Sequence, residues 1–248
     1  MQLPISIGHV QLTLHFRGGG LFDKADKRYA EFRQPRAEGL PVFLEPPGAT
    51  GLASSQFSFA LDGATLHLDS AAARFRGVRH EYALDSLIRI LLSVMLLPRH
   101  GFLLHAASVV RDGCAHIFTG RSGAGKSTIA SLSPPGSVLT DEISLLRCHR
   151  SGWHAHGTPF WGEFRAAGLN RRFPVAGIYV LVQASENHVE PLSPREGLRA
   201  ILPNVLFFSS NKPMTEELLR VMAEAAETIP FYRLHFRRDS SFWRIIAA

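Results

Sequence analysis

Cysteine is scarce in this chain of 248 residues, which contains only Cys114 and Cys148. Two cysteines are too few for a disulfide framework, and these two lack the spacing of a zinc-binding motif. This scarcity excludes the disulfide-rich secreted domains and the small zinc-stabilised domains. It favours a protein that works in a reducing cytoplasm.

Long apolar runs and clusters of basic residues are also missing. No apolar stretch reaches the length of about 18 residues that a membrane-spanning helix requires, and the first residues lack the features of a secretion signal. We therefore predict a cytoplasmic protein with no membrane partner. The net charge is +6, but the positive charge is mostly arginine spread along the chain. This distribution predicts no nucleic-acid partner.

Residues 120–128 read GRSGAGKST and fit the phosphate-binding loop (P-loop, Walker A) pattern G-x-x-x-x-G-K-[ST]. An apolar run at residues 115–119 precedes them and predicts the strand that such a loop requires. Glycine tolerates the positive φ angles that let backbone amides surround phosphate oxygens. Lys126 is predicted to reach the β- and γ-phosphates, and the Ser127 hydroxyl to bind Mg²⁺. The alternative is a glycine-rich turn that binds nothing. The residues predicted to bind the nucleotide are Gly120, Ser122, Gly123, Ala124, Gly125, Lys126, Ser127 and Thr128.

Two β-like runs, residues 102–110 and 114–119, flank the pair Asp112-Gly113. An Asp-Gly pair between such runs is typical of a tight hairpin turn. The strand that enters the loop is therefore predicted to be the second arm of a hairpin, whereas in most phosphate-loop proteins it lies in a parallel sheet. Prolines at residues 134–135 predict that the helix after the loop is short.

A carboxylate pair, Asp141-Glu142, follows the strand predicted at residues 137–140. This position is where a site for Mg²⁺ and a nucleotide needs a second anchor. One carboxylate could bind Mg²⁺ while the other accepts the proton of an attacking hydroxyl. Because adjacent side chains of a strand point to opposite faces, both can serve only if the chain bends there. Otherwise one is catalytic and the other caps a turn.

His105 lies on the first arm of the predicted hairpin, beside the strand that enters the loop. A histidine there could orient the base or share its proton, because imidazole titrates near neutral pH. A histidine in an apolar strand is more often a core residue whose hydrogen bonds are satisfied. Both interpretations stay open from the pattern alone.

The chain is predicted to divide into a β-rich N-terminal region, residues 1–80, and a core, residues 81–248. In the first region, residues 56–68 alternate around an Asp-Gly pair and predict another hairpin. Residues 40–47 include three prolines and predict an extended edge strand, because proline cannot donate within a sheet. Apolar residues at helical spacing over residues 83–97 predict a core helix.

Together these motifs resemble the catalytic domain of the bacterial HPr kinase/phosphorylase family and, more distantly, the nucleotide half of ATP-dependent phosphoenolpyruvate carboxykinase. The similarity covers roughly residues 101–146. The matching motifs are Leu104-His105-Ala106-Ala107-Ser108-Val109, Gly120-Arg121-Ser122-Gly123-Ala124-Gly125-Lys126-Ser127 and Asp141-Glu142.

The resemblance implies a role for each matching residue. Lys126 and Ser127 would contact the phosphates and the metal. Asp141 would be the base, Glu142 a metal ligand or the partner of the base, and His105 an assistant that acts through them.

Residues 157–165, which read GTPFWGEFR, resemble a segment of the HPr-kinase-related proteins that are encoded beside peptide-modification genes. We predict that Glu163 or Arg165 contacts the substrate or its phosphate, because a guanidinium there could neutralise charge on the transferring group. The alternative is that the aromatic residues of this segment pack a loop onto the core.

The combined interpretation is an α/β protein with an HPr kinase-like P-loop core, a mixed sheet and a small β-rich N-terminal region. The predicted activity is transfer of the γ-phosphoryl group of ATP, with Mg²⁺, to a hydroxyl, best matched by a serine of a peptide or small protein. Two alternatives are a non-catalytic ATP-binding regulator and a carboxykinase-like enzyme that acts on a small acid. Homo-oligomerisation is left open.

Overall fold

The computed structural model describes residues 1–47, 56–162 and 168–246. These residues form a mixed α/β fold with two mixed β-sheets. The strands are β1 (Gln2–Ile7), β2 (Val10–His15), β3 (Leu40–Glu45), β4 (Phe57–Leu61), β5 (Ala64–Leu68), β6 (Ala73–Arg76), β7 (Gly101–Arg111), β8 (Cys114–Thr119), β9 (Val138–Thr140), β10 (Ile143–His149), β11 (Gly152–His156), β12 (Arg172–Gln183), β13 (His188–Leu192), β14 (Val205–Leu206) and β15 (Phe231–Phe236). The α-helices are α1 (Gly19–Arg28), α2 (Glu81–Met95), α3 (Lys126–Ser131), α4 (Pro194–Ile201) and α5 (Lys212–Thr228). Within the described residues, none of the helices has the length and apolar character needed to cross a membrane.

The first sheet contains β1 to β6 in the spatial order β1-β2-β3-β6-β5-β4. The hairpin predicted at residues 56–68 is confirmed as β4 and β5, with Leu61 paired to Ala64. Between the strands, Asp62 and Gly63 have φ angles of 48° and 77°. Two consecutive positive φ angles are what a type I′ turn requires, so the Asp-Gly pair determines the turn.

The prediction of an edge strand at residues 40–47 is wrong. Strand β3 lies inside the first sheet, with β2 and β6 as parallel neighbours. Pro41 is tolerated because pairing with β6 begins only at Val42, so the proline faces a neighbour on one side. The other two prolines of the segment follow the end of the strand, where no amide donor is needed.

Helix α2 links the two sheets. The predicted core helix is confirmed, with bounds Glu81 and Met95. Its buried face belongs to a hydrophobic cluster that contains the first sheet and also Leu103 and Ile143 of the second sheet. The cluster contains residues on both sides of residue 80, the predicted domain boundary. The division into two domains stays a prediction.

The second sheet is built around the long hairpin of β7 and β8. Its main order is β11-β10-β7-β8-β12-β15-β13, and β9 and β14 also pair with β7. The predicted hairpin is confirmed, since Arg111 pairs with Cys114 and the turn residues Asp112 and Gly113 have φ angles of 50° and 77°. Strand β8 is antiparallel to β7 but parallel to β12, which is parallel to β15. The strand that enters the loop therefore lies between an antiparallel and a parallel part of the sheet.

Candidate functional site

The loop between β8 and α3 has the backbone form that its glycines predict. Gly120, Gly123 and Gly125 have φ angles of 152°, 77° and 112°, which residues with a side chain rarely adopt. A Cβ atom at Gly125 would also lie 2.5 Å from Cζ of Phe236, at the end of β15. Helix α3 begins at Lys126 and has six residues, so the prediction of a short helix is confirmed. Glycine at position 125 therefore serves both the backbone conformation and the close packing of the loop on β15.

The loop borders a cavity of about 380 Å³, which we call the loop cavity. The residues that line it are His105, Ser122, Gly123, Gly125, Lys126, Ser127, Thr128, Asp141, Glu142, Gly162 and Arg238. Two of the predicted nucleotide contacts, Gly120 and Ala124, line instead a neighbouring cavity of about 780 Å³ that the loop shares with β12 and α4. The structure thus brings the residues predicted to be catalytic around one cavity.

Lys126 is almost fully buried, with 7% of its surface exposed. Its Nζ atom donates hydrogen bonds to the carbonyl oxygens of Gly120 (2.9 Å) and Arg121 (3.3 Å). Burial lowers the pKa of Lys126, while the negative charge of Glu142 opposes this change. An anion in the cavity would compensate the buried ammonium better than neutral carbonyls do.

Asp141 and Glu142 border the same cavity because the chain bends between β9 and β10. Both of these strands pair with β7, and the amide of Ala106 in β7 donates to the carbonyl of Glu142 at 3.0 Å. The bend meets the condition under which two adjacent carboxylates can serve one site.

Two buried threonine hydroxyls hold this bend. Thr140 Oγ1 and Thr158 Oγ1 both donate to the carbonyl of Ile143, at 3.1 Å and 2.7 Å. A buried polar group left without a partner costs about 1–3 kcal/mol. The two hydroxyls therefore stabilise the backbone conformation that turns both carboxylates toward the cavity.

The two carboxylates have different neighbours. Both Oδ atoms of Asp141 accept from the amide of Gly162, at 3.1 Å and 3.2 Å. Oε2 of Glu142 lies 3.3 Å from Nη2 of Arg89, on α2. Burial raises the pKa of Glu142, Arg89 opposes this effect, and the negative charge of Asp141 adds to it. The net increase reflects mainly the loss of solvation of the Glu142 carboxylate, to which the repulsion by Asp141 adds.

The donor set at this place fits Mg²⁺. The Ser127 hydroxyl and the carboxylates of Asp141 and Glu142 offer the oxygen ligands that Mg²⁺ prefers. The raised pKa of Glu142 supports the fit, because a divalent cation would relieve the repulsion between the two carboxylates.

His105 borders the loop cavity and not the packed core. It pairs with Ile143 across β7 and β10, and its carbonyl accepts a hydrogen bond from Thr119 Oγ1 at 3.0 Å. Burial lowers the pKa of His105, and the positive charges of Lys126 and Arg89 lower it further. The imidazole is therefore neutral at neutral pH and can accept a proton.

Arg89 was not identified from the sequence, although it contacts a predicted catalytic residue. It binds Glu142 and also lies over the ring of Phe160, with Cζ 4.9 Å from the ring centroid. The available signal was the spacing of Asp85 and Arg89, two charged residues one helical turn apart in a helix that is mostly apolar.

A buried charge network connects the N-terminal region to this site. Asp85 forms a buried ion pair with Arg28 of α1 and accepts a hydrogen bond from the hydroxyl of Tyr29. The guanidinium of Arg28 also lies over the ring of Trp161, 3.6 Å from its centroid. Trp161 precedes Gly162, the residue that binds Asp141, so the first part of the chain supports the backbone beside the carboxylates.

Arg238 was also missed, because only its place after β15 brings it to the cavity. Its Nη2 donates to Gln183 Oε1 at 3.1 Å, and Gln183 Nε2 donates to the carbonyl of Gly123 at 2.7 Å. These bonds connect a cationic side chain to the loop. The predicted substrate contacts Glu163 and Arg165 lie outside the described residues.

Comparison with known proteins identifies the family. No curated protein sequence matches the chain. The family model described as SynChlorMet cassette protein ScmC matches residues 81–248, more than half of the chain. This segment contains Arg89 and all the residues that line the loop cavity. The chain therefore belongs to the SynChlorMet cassette protein ScmC family.

Proposed function

We propose that this protein is an ATP- and Mg²⁺-dependent kinase that transfers the γ-phosphoryl group to a hydroxyl, specifically a serine of a peptide or small protein. One observation carries the proposal: the ammonium of Lys126 and the carboxylates of Asp141 and Glu142 border a single cavity beside a glycine-rich loop. Phosphoryl transfer needs these groups together, because it depends on positioning and charge neutralisation.

The loop binds the phosphates in this proposal. Its positive-φ glycines let backbone amides approach oxygen atoms, and Lys126 exchanges its carbonyl partners for phosphate oxygens. Ser127 and the carboxylates would hold Mg²⁺, which would neutralise charge on the phosphates. Arg238 adds a positive charge to the lining of the cavity.

Asp141 acts as the base that accepts the proton of the acceptor hydroxyl. Its contact with Gly162 holds the carboxylate in the cavity. Glu142 shares the metal or assists the base, and its raised pKa makes this carboxyl a better proton acceptor than an exposed glutamate. His105, neutral and on the adjacent strand, orients this pair.

The topology gives further support. A hairpin that feeds the loop, followed by an acidic pair, is the arrangement on which the resemblance to HPr kinase-type P-loop enzymes depends. The family description refers to a cassette, and we infer that the acceptor is encoded in that cassette. The two half-buried free thiols, Cys114 and Cys148, are consistent with a cytoplasmic location.

The test is a phosphorylation assay with the acceptors that the cassette offers. Purified protein is incubated with Mg²⁺·ATP and each peptide or small protein encoded in the cassette, and phosphoserine is located by mass spectrometry. We expect one acceptor to be modified, and the signal to disappear with EDTA or when the modified serine is replaced by alanine. ATP binding without phosphorylation of any of these acceptors would indicate a regulator and overturn the kinase proposal.

Arg89→Gln is expected to slow transfer more at low pH than at high pH. Arg89 lowers the pKa of Glu142, so its loss raises that pKa and keeps the carboxyl protonated up to a higher pH. We expect kcat/KM to fall about tenfold on the acidic limb of the pH profile and no more than about threefold on its high-pH plateau. The measurement is a pH–rate profile, whose acidic limb should move to higher pH.

The control is Arg79→Gln, which removes an exposed arginine close in sequence. It should leave the profile unchanged, and Arg89→Lys should restore part of the low-pH rate. An equal loss at all pH values would show that Arg89 supports only the packing of α2.

A further inference from the structure

Two neighbouring strands of the second sheet bring together two histidines and a glutamate away from the loop cavity. Strands β13 and β15 are antiparallel, with His188 opposite His235 and Glu190 opposite Arg233. Because side chains two residues apart share a face of a strand, these four lie on one face. The two imidazole rings stack with centroids 4.0 Å apart and an interplanar angle of 10°.

The donor atoms have the separations of a metal site. Oε1 of Glu190 lies 3.1 Å from Nε2 of His188 and 3.6 Å from Nε2 of His235. The three atoms all lie within 4.8 Å of one another. Ligands that bind tetrahedral Zn²⁺ at about 2.0–2.1 Å are about 3.3 Å apart, so the separations fit the ion, and the two stacked rings would turn to direct their nitrogens at it.

The surroundings orient these donors. Nη1 of Arg233 donates to Oε2 of Glu190 at 3.0 Å, which leaves Oε1 directed at the two histidines. Nε2 of His235 is buried and has no hydrogen-bond partner among the described residues. A carboxylate fixed by a hydrogen bond to its second oxygen, next to an imidazole nitrogen that lacks a partner, provides two donors that a metal ion could bind.

We propose that His188, Glu190 and His235 bind a borderline divalent metal ion of the Zn²⁺ class, with the remaining position open to water. Two imidazoles and one carboxylate favour such an ion over Mg²⁺, which prefers oxygen ligands. The ion would join edge strand β13 to β15. Because β15 ends in Phe236, which packs against Gly125 of the loop, the metal would stabilise the strand on which the loop rests. This site is independent of the proposed kinase activity.

Zn²⁺ titration of the full chain tests the proposal. After treatment with a chelator, the protein is titrated with ZnCl₂ in a calorimeter at pH 7.5, and its melting temperature is measured with and without Zn²⁺. We expect stoichiometric binding and a higher melting temperature. Binding should weaken at least about tenfold in His188→Asn, His235→Asn and Glu190→Gln, since each removes one ligand.

The matched control is His149→Asn. His149 belongs to a different histidine pair, in which its Nε2 lies 3.0 Å from Nε2 of His156. The control should retain the tight equivalent of Zn²⁺. Absence of stoichiometric binding, or loss of the tight equivalent in the control alone, would overturn the proposal.

A crystal structure with Zn²⁺ keeps the test independent of the stability of any variant. An anomalous peak between the three side chains is expected, and a peak confined to other residues would contradict the site.

Discussion

Asp141→Asn is expected to reduce phosphoryl transfer by about 10²–10⁴-fold, the usual contribution of a positioned general base, while ATP still binds. The amide keeps an oxygen that can accept from Gly162, as the carboxylate does at 3.1 Å. It cannot take up the proton of the acceptor hydroxyl. The loop and Lys126, which bind the phosphates, are unchanged by the substitution.

Two measurements separate catalysis from binding in this variant. Calorimetric titration with Mg²⁺·ATP should give a dissociation constant within about threefold of that of the parent protein, and single-turnover transfer should show the loss of rate. The control is Asp112→Asn, which replaces an exposed carboxylate in a turn where asparagine also tolerates the positive φ of 50°. It should transfer at the parent rate. Full activity in Asp141→Asn would remove the base assignment, and loss of ATP binding would make Asp141 chiefly a metal ligand.

The parts of the fold that the sequence predicted well are those set by neighbouring residues. The turn at Asp112-Gly113 was predictable because few residue pairs accept two consecutive positive φ angles. The loop was predictable for the same reason, since Gly123 and Gly125 adopt conformations that other residues avoid. Both signals are contained within a few residues and need no knowledge of packing.

The parts that the sequence did not predict depend on contacts between distant segments. Arg89 meets Glu142 across a separation of 53 residues, and only the packing of α2 between the sheets creates that contact. The interior position of β3 was not predicted, because the rule that places prolines on edge strands treats a strand as a whole. In the structure, pairing with β6 begins only after Pro41. The shared cavity of Asp141 and Glu142 depended on a bend that distant Thr158 helps to hold.

Lys126→Met is expected to weaken ATP binding by about 10–100-fold and to reduce transfer further. Methionine has a similar length but no charge, so it removes the charge-assisted hydrogen bonds to the phosphates, each contributing about 1.5–3 kcal/mol. The buried ammonium donates hydrogen bonds to the neutral carbonyl oxygens of Gly120 and Arg121. Burial lowers the pKa of Lys126. A phosphate should therefore be bound more strongly by this ammonium than by that of an exposed lysine.

The matched control for this substitution is Lys212→Met, because the side chain of Lys212 is 86% exposed and lies in α5. Equilibrium titration with ATP should distinguish the two variants, and the control should bind as the parent protein does. Thermal unfolding tests whether the loop still folds: methionine relieves the desolvation of a buried charge, so the melting temperature of Lys126→Met should be unchanged or higher. A folded Lys126→Met that binds ATP with the parent affinity would show that the loop does not hold phosphates through this lysine.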